Sequence, residues 1–418
     1  MSVKISYLKK IFLIFLMILL LSTGCQNKKQ HQISSTYFGM HIQNPNNYSL
    51  HSNTMGNLGY GSVRFWDTGT KWLNLEPQKG KYDFKKLDQL VSAALDNNQE
   101  ILLTLGQPPS WATGNKSISE YGDNYNSIPP ANIEDWRKYV KTVGERYKGK
   151  ITAYEIWNEV NIKGFYSGSI EELVTLTKEA NYILKKIDPN IIIVSPGMAN
   201  GMEGVHFLEA YLKAGGIQFV DAISVHLYVN PYPPEEMIPL IKNYRQVVDE
   251  TSSKQMPIWN TEFTWVNFTM DKEINNSTIM PDELASSYLA RALLIGIGME
   301  IERNYFYGLD YSTSKIQLVD LLNQKSIKLP GVAYRNVSSW LIGASIRNFS
   351  HKEGYYLLNI KLKDGKKGII AWAEKSEKKI KLPPGFSEGN YFSTIGEINT
   401  YSGGEIYLTN MPVLVYKD

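Results

Sequence analysis

The chain has 418 residues, 43% of them hydrophobic and 20% charged, which excludes a disordered protein and suffices for a large barrel plus a smaller domain. Its net charge of +3 is spread along the chain rather than gathered in runs, so no electrostatic footprint for DNA or RNA is present. Six scattered histidines with no HxH or HExxH spacing, and a single cysteine, suggest neither a metal site nor a disulfide framework, and no cofactor is expected.

The first element is a targeting segment. Lys4, Lys9 and Lys10 precede the apolar run Ile11 to Leu21, which has about the length of a signal h-region and is short for a bilayer span. Leu21-Ser-Thr-Gly-Cys25 follows, and the whole resembles a bacterial lipoprotein signal in which Cys25 becomes the lipidated first residue of the mature chain. The leucine stands four before the cysteine, with Ser22 between, where such signals have it three before. The resemblance implies an extracytoplasmic lipoprotein anchored to a membrane through Cys25; a free thiol in a secreted protein and an uncleaved anchor helix are the alternatives. Residues 1–25 are thus read as signal and 26–35 as a polar tether.

From Tyr37 onward, short β-branched or aromatic runs alternate with helical patterns. The runs are YFGMHI from Tyr37, SVRFWD from Ser62, ILLTLG from Ile101, ITAYEIWN from Ile151, IIIVSP from Ile191, AISVHLY from Ala222, IWNTEF from Ile258 and YFYGLD from Tyr305. Between them, Leu87, Leu90, Val91, Ala94 and Leu95 form one helical face. Ser169 with Glu172 makes a capping box, Asp188-Pro189 closes that helix, and Asp282 and Glu283 begin a later one. Eight strand–helix units over residues 36–344 give an α/β fold, a (β/α)8 TIM barrel. A doubly wound nucleotide fold would show GxGxxG or GxxxxGK[ST] after a strand, and neither occurs. From Ser345 the runs YYLLNIKL, KGIIAWAE, KKIKLP and EIYLTNMPVLVYKD, with turns and no helices, give a small C-terminal all-β sandwich-like domain over 345–418.

Barrel function sits at the C-terminal ends of strands. His41, Arg64 with Trp66 and Asp67, Gln107 with Trp111, Asn158 with Glu159, His226 with Tyr228, Glu262, and Tyr307 with Asp310 mark those ends. Glu159 and Glu262, on strands four and seven, face each other across one mouth, and a facing carboxylate pair is what glycosidic cleavage requires. Arg64 is placed to keep a nucleophile ionised, Tyr228 to donate to the same group, and Asn158 to hold a substrate hydroxyl. Trp265 is a candidate ring for stacking on sugar, with packing as its alternative. Alternation points Glu155 the same way as Trp157 and Glu159, but lower, as a buried structural carboxylate. No GxSxG elbow supports a serine nucleophile.

WNE at strand four and WNTEFTW at strand seven resemble glycoside hydrolase clan A, the retaining barrel glycosidases. The resemblance implies Glu159 as acid/base and Glu262 as nucleophile, with Arg64, His226 and Tyr228 at the clan's arginine and His-x-Tyr positions. WLNLEPQKGKYDFKKLDQLV, LTLGQPPSWA, WNEVNIKGFYSGSIEELVTLTKEA, VDAISVHLY and LTNMPVLVY are similar to glycoside hydrolase family 39, implying β-xyloside or exopolysaccharide substrates. Two departures stand out: Val160 replaces the family's proline after the acid/base, and the strand-eight tryptophan is absent, with Tyr305 or Tyr307 nearest. The expected site is therefore catalytic Glu159 and Glu262, with Asn158, Arg64, His226, Tyr228, Trp111, His41, Trp265 and Tyr307 binding a poly- or oligosaccharide. A carbohydrate-binding lipoprotein without turnover is the alternative.

Overall fold

The structure, a computed structural model, describes residues 32–45, 47, 58–114, 126–199, 201–266, 279–311, 314–320 and 326–417. Cys25 and its signal lie outside the described residues, and so does part of the loop after strand three. Among the described residues no helix is long and apolar enough to cross a membrane.

Eight strands form one parallel sheet: β1 Phe38–His41, β2 Ser62–Phe65, β3 Glu100–Leu105, β4 Ala153–Ile156, β5 Ile192–Val194, β6 Ile223–His226, β7 Ile258–Phe263 and β8 Ile301–Phe306. Their order is β5-β4-β3-β2-β1-β8-β7-β6, and a parallel bridge from Val194 to Ala222 joins the two ends into a barrel. The helices are α1 Trp72–Leu75, α2 Lys85–Asp96, α3 Ile133–Arg146, α4 Ile170–Ile187, α5 Met202–Lys213, α6 Met237–Thr251, α7 Asp282–Gly298 and α8 Leu329–Leu341. The barrel with its closing β domain is the expected fold. Inside the barrel, Leu102, Ala153, Val194, Ala222, Trp259 and Tyr305 fill one layer, as inward-facing residues of such strands do.

Local rules account for most of these elements. Leu87, Leu90, Val91 and Ala94 are the buried stripe of α2, while Leu95, expected with them, is 40% exposed one residue before the helix ends. Ser169 and Glu172 make both bonds of a capping box at α4, and Asp188 caps its other end. Strand β8 begins at Ile301, four residues before the apolar run suggested. Its polar start is stabilised at the barrel floor, where Arg303 stacks over Trp259 at 4.2 Å and reaches Glu100 at 2.5 Å.

The chain ends in β9 Ser345–Lys352, β10 Tyr355–Lys361, β11 Lys367–Ala373, β12 Lys378–Lys381, β13 Gly389–Ser393, β14 Ile398–Tyr401, β15 Glu405–Leu408 and β16 Val413–Tyr416. Six make an antiparallel sheet, and β12 pairs with β15 in a second. Strands β9, β13 and β14 escape a hydrophobic reading because most of their residues are exposed or half-buried. Alternation divides the larger sheet. Tyr356, Leu358, Ile360, Ile370, Trp372 and Leu414 join the barrel's core, whereas Leu357, Ile369 and Ala371 pack with Ile380, Ile406 and Leu408 of the small sheet.

Helix α7 is buried on nearly every side, as a helix between two layers must be. Its Arg291 reaches Glu235 Oε2 at 2.7 Å, and Glu235 Oε1 accepts from Trp372 Nε1 at 2.9 Å, so one buried carboxylate ties the β6 loop, α7 and β11 together. Removing it leaves Arg291 buried without its counter-charge. The expected loss for Glu235→Ala is about 3–5 kcal/mol of unfolding free energy in a denaturant titration, and a loss below about 1 kcal/mol would show that the clasp is not structural.

Candidate active site

Near the end of strand β2 stands Arg64, a cation with no exposed surface. It survives burial because every side of the guanidinium is met. Nε and Nη2 donate to Glu155 Oε2 at 2.9 and 2.6 Å, Nη2 to Asn158 Oδ1 at 2.6 Å, and Nη1 to Glu262 Oε2 at 2.7 Å. Glu155 accepts further bonds from Thr104 at 2.6 Å, Ser224 at 2.6 Å and Thr261 at 2.9 Å. Burial alone would raise its pKa, but Arg64, His226 and these hydroxyls outweigh burial and hold it below the usual range. The carboxylate expected to be structural is thus the one that positions Arg64.

Past β4 the backbone leaves strand geometry. Trp157 has φ 75° and Glu159 φ 46°, left-handed values rare for residues with side chains. Alternation therefore fails here. Glu155 points into the barrel at Arg64, whereas Trp157 swings outward, its ring 6.4 Å from Trp136 of α3 and its Nε1 donating to Phe165 O at 2.7 Å. Glu159 returns over the mouth, where its Oε1 lies 2.9 Å from His226 Nδ1.

Glu262, on β7, receives Arg64 on Oε2 and the Tyr228 hydroxyl on Oε1 at 2.5 Å. One oxygen of Glu159 and one of Glu262 lie within 4.8 Å of each other, with His226 Nδ1 in the same group. These three side chains offer a cation ligand set that no local motif announces, but the Arg64 guanidinium, bonded to Glu262, opposes a cation there.

The two carboxyls differ. Burial pushes Glu159 up to about 8; Arg64 opposes this, and Asp67 and Glu155 add to it. Burial also raises Glu262, but Arg64 and the Tyr228 hydroxyl oppose that rise. A proton shared by the pair therefore resides on Glu159. Burial holds His226 at about 4, so its ring is neutral. Its buried Nε2 has no hydrogen-bond partner. A lone pair is tolerated in that position far better than an N–H, which puts the ring proton on Nδ1, donating to Glu159 Oε1. The carboxyl proton of Glu159 then sits on its other oxygen, available to a ligand.

Beside the pair is a cavity of about 150 Å³, walled by Asn158, Glu159, Tyr228, Glu262 and Tyr307 among the expected residues. Arg64 and His226 lie beneath it, bonded to its carboxyls. Three other expected residues neither line the wall nor bond to its carboxyls. His41 is buried, donating from Nε2 to Thr261 O at 2.9 Å and packing on Tyr307 at 4.7 Å, so it supports that ring. Trp111 spends its N–H on Glu76 O at 3.0 Å and packs on Trp72. Trp265 is 1% exposed, donates to Tyr232 O at 3.0 Å and packs on Tyr288, so packing is the reading the geometry favours. Tyr305 lies in the barrel interior, which leaves Tyr307 at the strand-eight position.

Trp66 and Asp67, marked from the sequence at a strand end but not placed in the expected site, and Lys71, Phe165, Val266 and Tyr311, which it did not single out, complete the wall. Lys71 is the informative omission: it is buried, 2.9 Å from Asp67 and 4.3 Å over the Trp66 ring. Its signal was the spacing Asp67-x-x-x-Lys71 directly after a strand end.

The model of glycosyl hydrolases family 39 matches residues 51–288. A beta-xylosidase of Caldicellulosiruptor saccharolyticus is 27% identical over 188 residues, covering 41% of this chain and 37% of that protein. A beta-xylosidase of Geobacillus stearothermophilus is 23% identical over 244 residues, covering 51% and 46%. The chain therefore spans less than half the length of these curated relatives. Among solved structures, a family 39 glycoside hydrolase from Bacteroides cellulosilyticus WH2 superposes with a TM-score of 0.73 at 21% identity, covering 93% of this chain and 82% of that one. A family 39 beta-xylosidase from Caulobacter crescentus gives 0.65 at 15% identity, covering 94% and 98%.

The protonation of Glu159 is measurable without any substrate. In infrared difference spectra, a protonated carboxyl band absent from Glu159→Gln is expected to persist through neutral pH and to vanish as pH rises through about 8. Loss of that band already near pH 5 would overturn the assignment.

Proposed function

The chain belongs to glycosyl hydrolase family 39, and from that premise we propose that it is a retaining glycoside hydrolase acting on a β-linked oligo- or polysaccharide, xyloside-like or an exopolysaccharide. The observation that carries this reading is the unequal carboxyl pair, with oxygens within 4.8 Å and opposite hydrogen-bonding environments. That separation suits direct attack rather than the wider spacing, about 6.5–9.5 Å, that admits a water. Glu262, held anionic by Arg64 and Tyr228, attacks the anomeric carbon. Glu159 gives its proton to the leaving glycosidic oxygen, and the bond between that oxygen and the anomeric carbon breaks. Water then attacks the glycosyl ester, losing a proton to Glu159 and releasing Glu262. Asn158, itself fixed by Arg64, is placed to bind a hydroxyl of the reacting sugar. The named relatives are beta-xylosidases, which favours the xyloside branch.

Glu262→Gln is expected to lower kcat on 4-nitrophenyl β-xyloside or a β-linked polysaccharide by more than about 10³-fold while ligand still binds. Proton NMR of the first product should show the β anomer. Equal turnover by wild type and Glu262→Gln would refute the assignment, first release of the α anomer would refute retention, and ligand binding with no turnover in either protein would favour the non-hydrolytic alternative.

We further propose, from the signal-like segment ending at Cys25, a lipid tether to the extracytoplasmic face of a membrane. In a bacterial host, the full chain should sediment with membranes and Cys25→Ser should not. Equal membrane association of the two would exclude lipidation as the anchor.

A further inference from the structure

The cavity beside the carboxyl pair is the size of a single sugar ring, and a second, larger space lies next to it, sharing one lining residue. Asp67 lines it and also lines a neighbouring groove of about 780 Å³. Tyr307 stands at the junction, its hydroxyl donating to Asp67 Oδ2 at 2.7 Å and accepting from Gln43 Nε2 at 3.2 Å. We propose that this groove binds the non-reducing end of the substrate, so that the protein acts on chains and cleaves them several sugars in from that end. The inference rests on the glycosidase reading above.

Its direction follows from topology. Glu159 protonates the leaving group, so the departing sugar lies on the β4 side. The groove runs over the ends of β1, β2 and β8 to the start of α2. In the order β4-β3-β2-β1-β8, strand β8 stands four places from β4, which in an eight-stranded barrel is the opposite side of the mouth. A glycone held over Glu262 with its leaving group toward β4 therefore extends into the groove.

The chemistry of the groove fits the same occupant. Apart from Pro45 and Gly69 its wall is amide, carboxylate and ammonium side chains, donors and acceptors suited to a hydroxyl-rich chain and not to an apolar ligand. Its floor is fixed before any ligand arrives: Asp310 accepts from the backbone N–H of Gln43 at 2.9 Å and of Asn44 at 2.8 Å, joining the β1 and β8 loops. Lys86 and Gln89, exposed on α2, form the outer wall and carry no fold-defining contact.

Two measurements test this. With 4-nitrophenyl β-xyloside, β-xylobioside and β-xylotrioside, kcat/KM of the wild type is expected to rise at least about tenfold with glycone length. The double variant Lys86→Ala/Gln89→Ala should lose most of that rise while keeping the rate on the monosaccharide. Equal kcat/KM on all three, or an undiminished rise in the double variant, would overturn the groove. The second measurement is calorimetric binding of xylose and xylotetraose to Glu262→Gln, expected to favour the longer chain at least about tenfold. Length-dependent binding by Glu262→Gln, with a wild type that hydrolyses none of these substrates, would support the groove and sink the hydrolytic reading. Equal affinity for both sugars would overturn the groove whatever the fate of the chemistry.

Discussion

The active-site region is organised around the neutralisation of one buried cation. Arg64 has no exposed surface, and an ion so placed requires counter-charge and a full set of acceptors. Glu155 supplies charge from below and Glu262 from above, while Asn158 takes a remaining donor. Glu155 in turn is fixed by hydroxyls from β3, β6 and β7. Five strands thus share one polar network, and no member can turn away without leaving a charge or a donor unmet. The orientation of Glu262 and Asn158 toward the mouth is a consequence of that requirement, and it is the fixed orientation that the proposed chemistry requires.

The same network creates the asymmetry of the carboxyl pair. Glu262 sits where cation and hydroxyl already point, and both oppose the upward pull of burial on its pKa. Glu159 is as deeply placed but has a neutral imidazole as its described partner, and its proton is the more stable form. Burial raises both glutamates, and what each one faces differs: at Glu262 a bonded cation and a hydroxyl oppose that rise.

The barrel was legible in the sequence because its strands are enclosed and read as apolar runs, and the carboxyl pair was legible because both glutamates stand at the ends of such runs. Where a residue's role depends on a loop, the sequence was silent: Lys71, Phe165 and Tyr311 enter the wall from segments with no period to fix their direction. Trp111 and Trp265 misled for a different reason. Trp265 was a candidate ring for stacking and Trp111 a substrate contact, but Trp265 is buried against Tyr288, Trp111 packs on Trp72, and backbone carbonyls within the fold take both indole N–H groups. Strands β9, β13 and β14 were missed because burial is carried by their neighbours.

The placement of Glu159 depends finally on the segment after a strand that contributes no side chain to the cavity wall. Left-handed geometry at Trp157 and Glu159 stores about 1–3 kcal/mol at each residue, and such strain persists only where the surroundings over-determine it. Trp157 N donates to Leu105 O at 2.8 Å, and its ring is fixed by Phe165 O and the edge of Tyr166. The remaining constraint comes from Gly197, just past β5: its N–H donates to Trp157 O at 3.1 Å and its carbonyl accepts from Val160 N at 3.1 Å, bracketing the segment that carries Glu159. Only glycine can lie so close, because a Cβ there would stand 2.9 Å from His226 Nε2. The same contact closes the space in which that nitrogen would otherwise find a partner, and it favours the tautomer that directs Nδ1–H at Glu159. One glycine just past β5 thereby sets both the placement of Glu159 and the hydrogen bond that orients it.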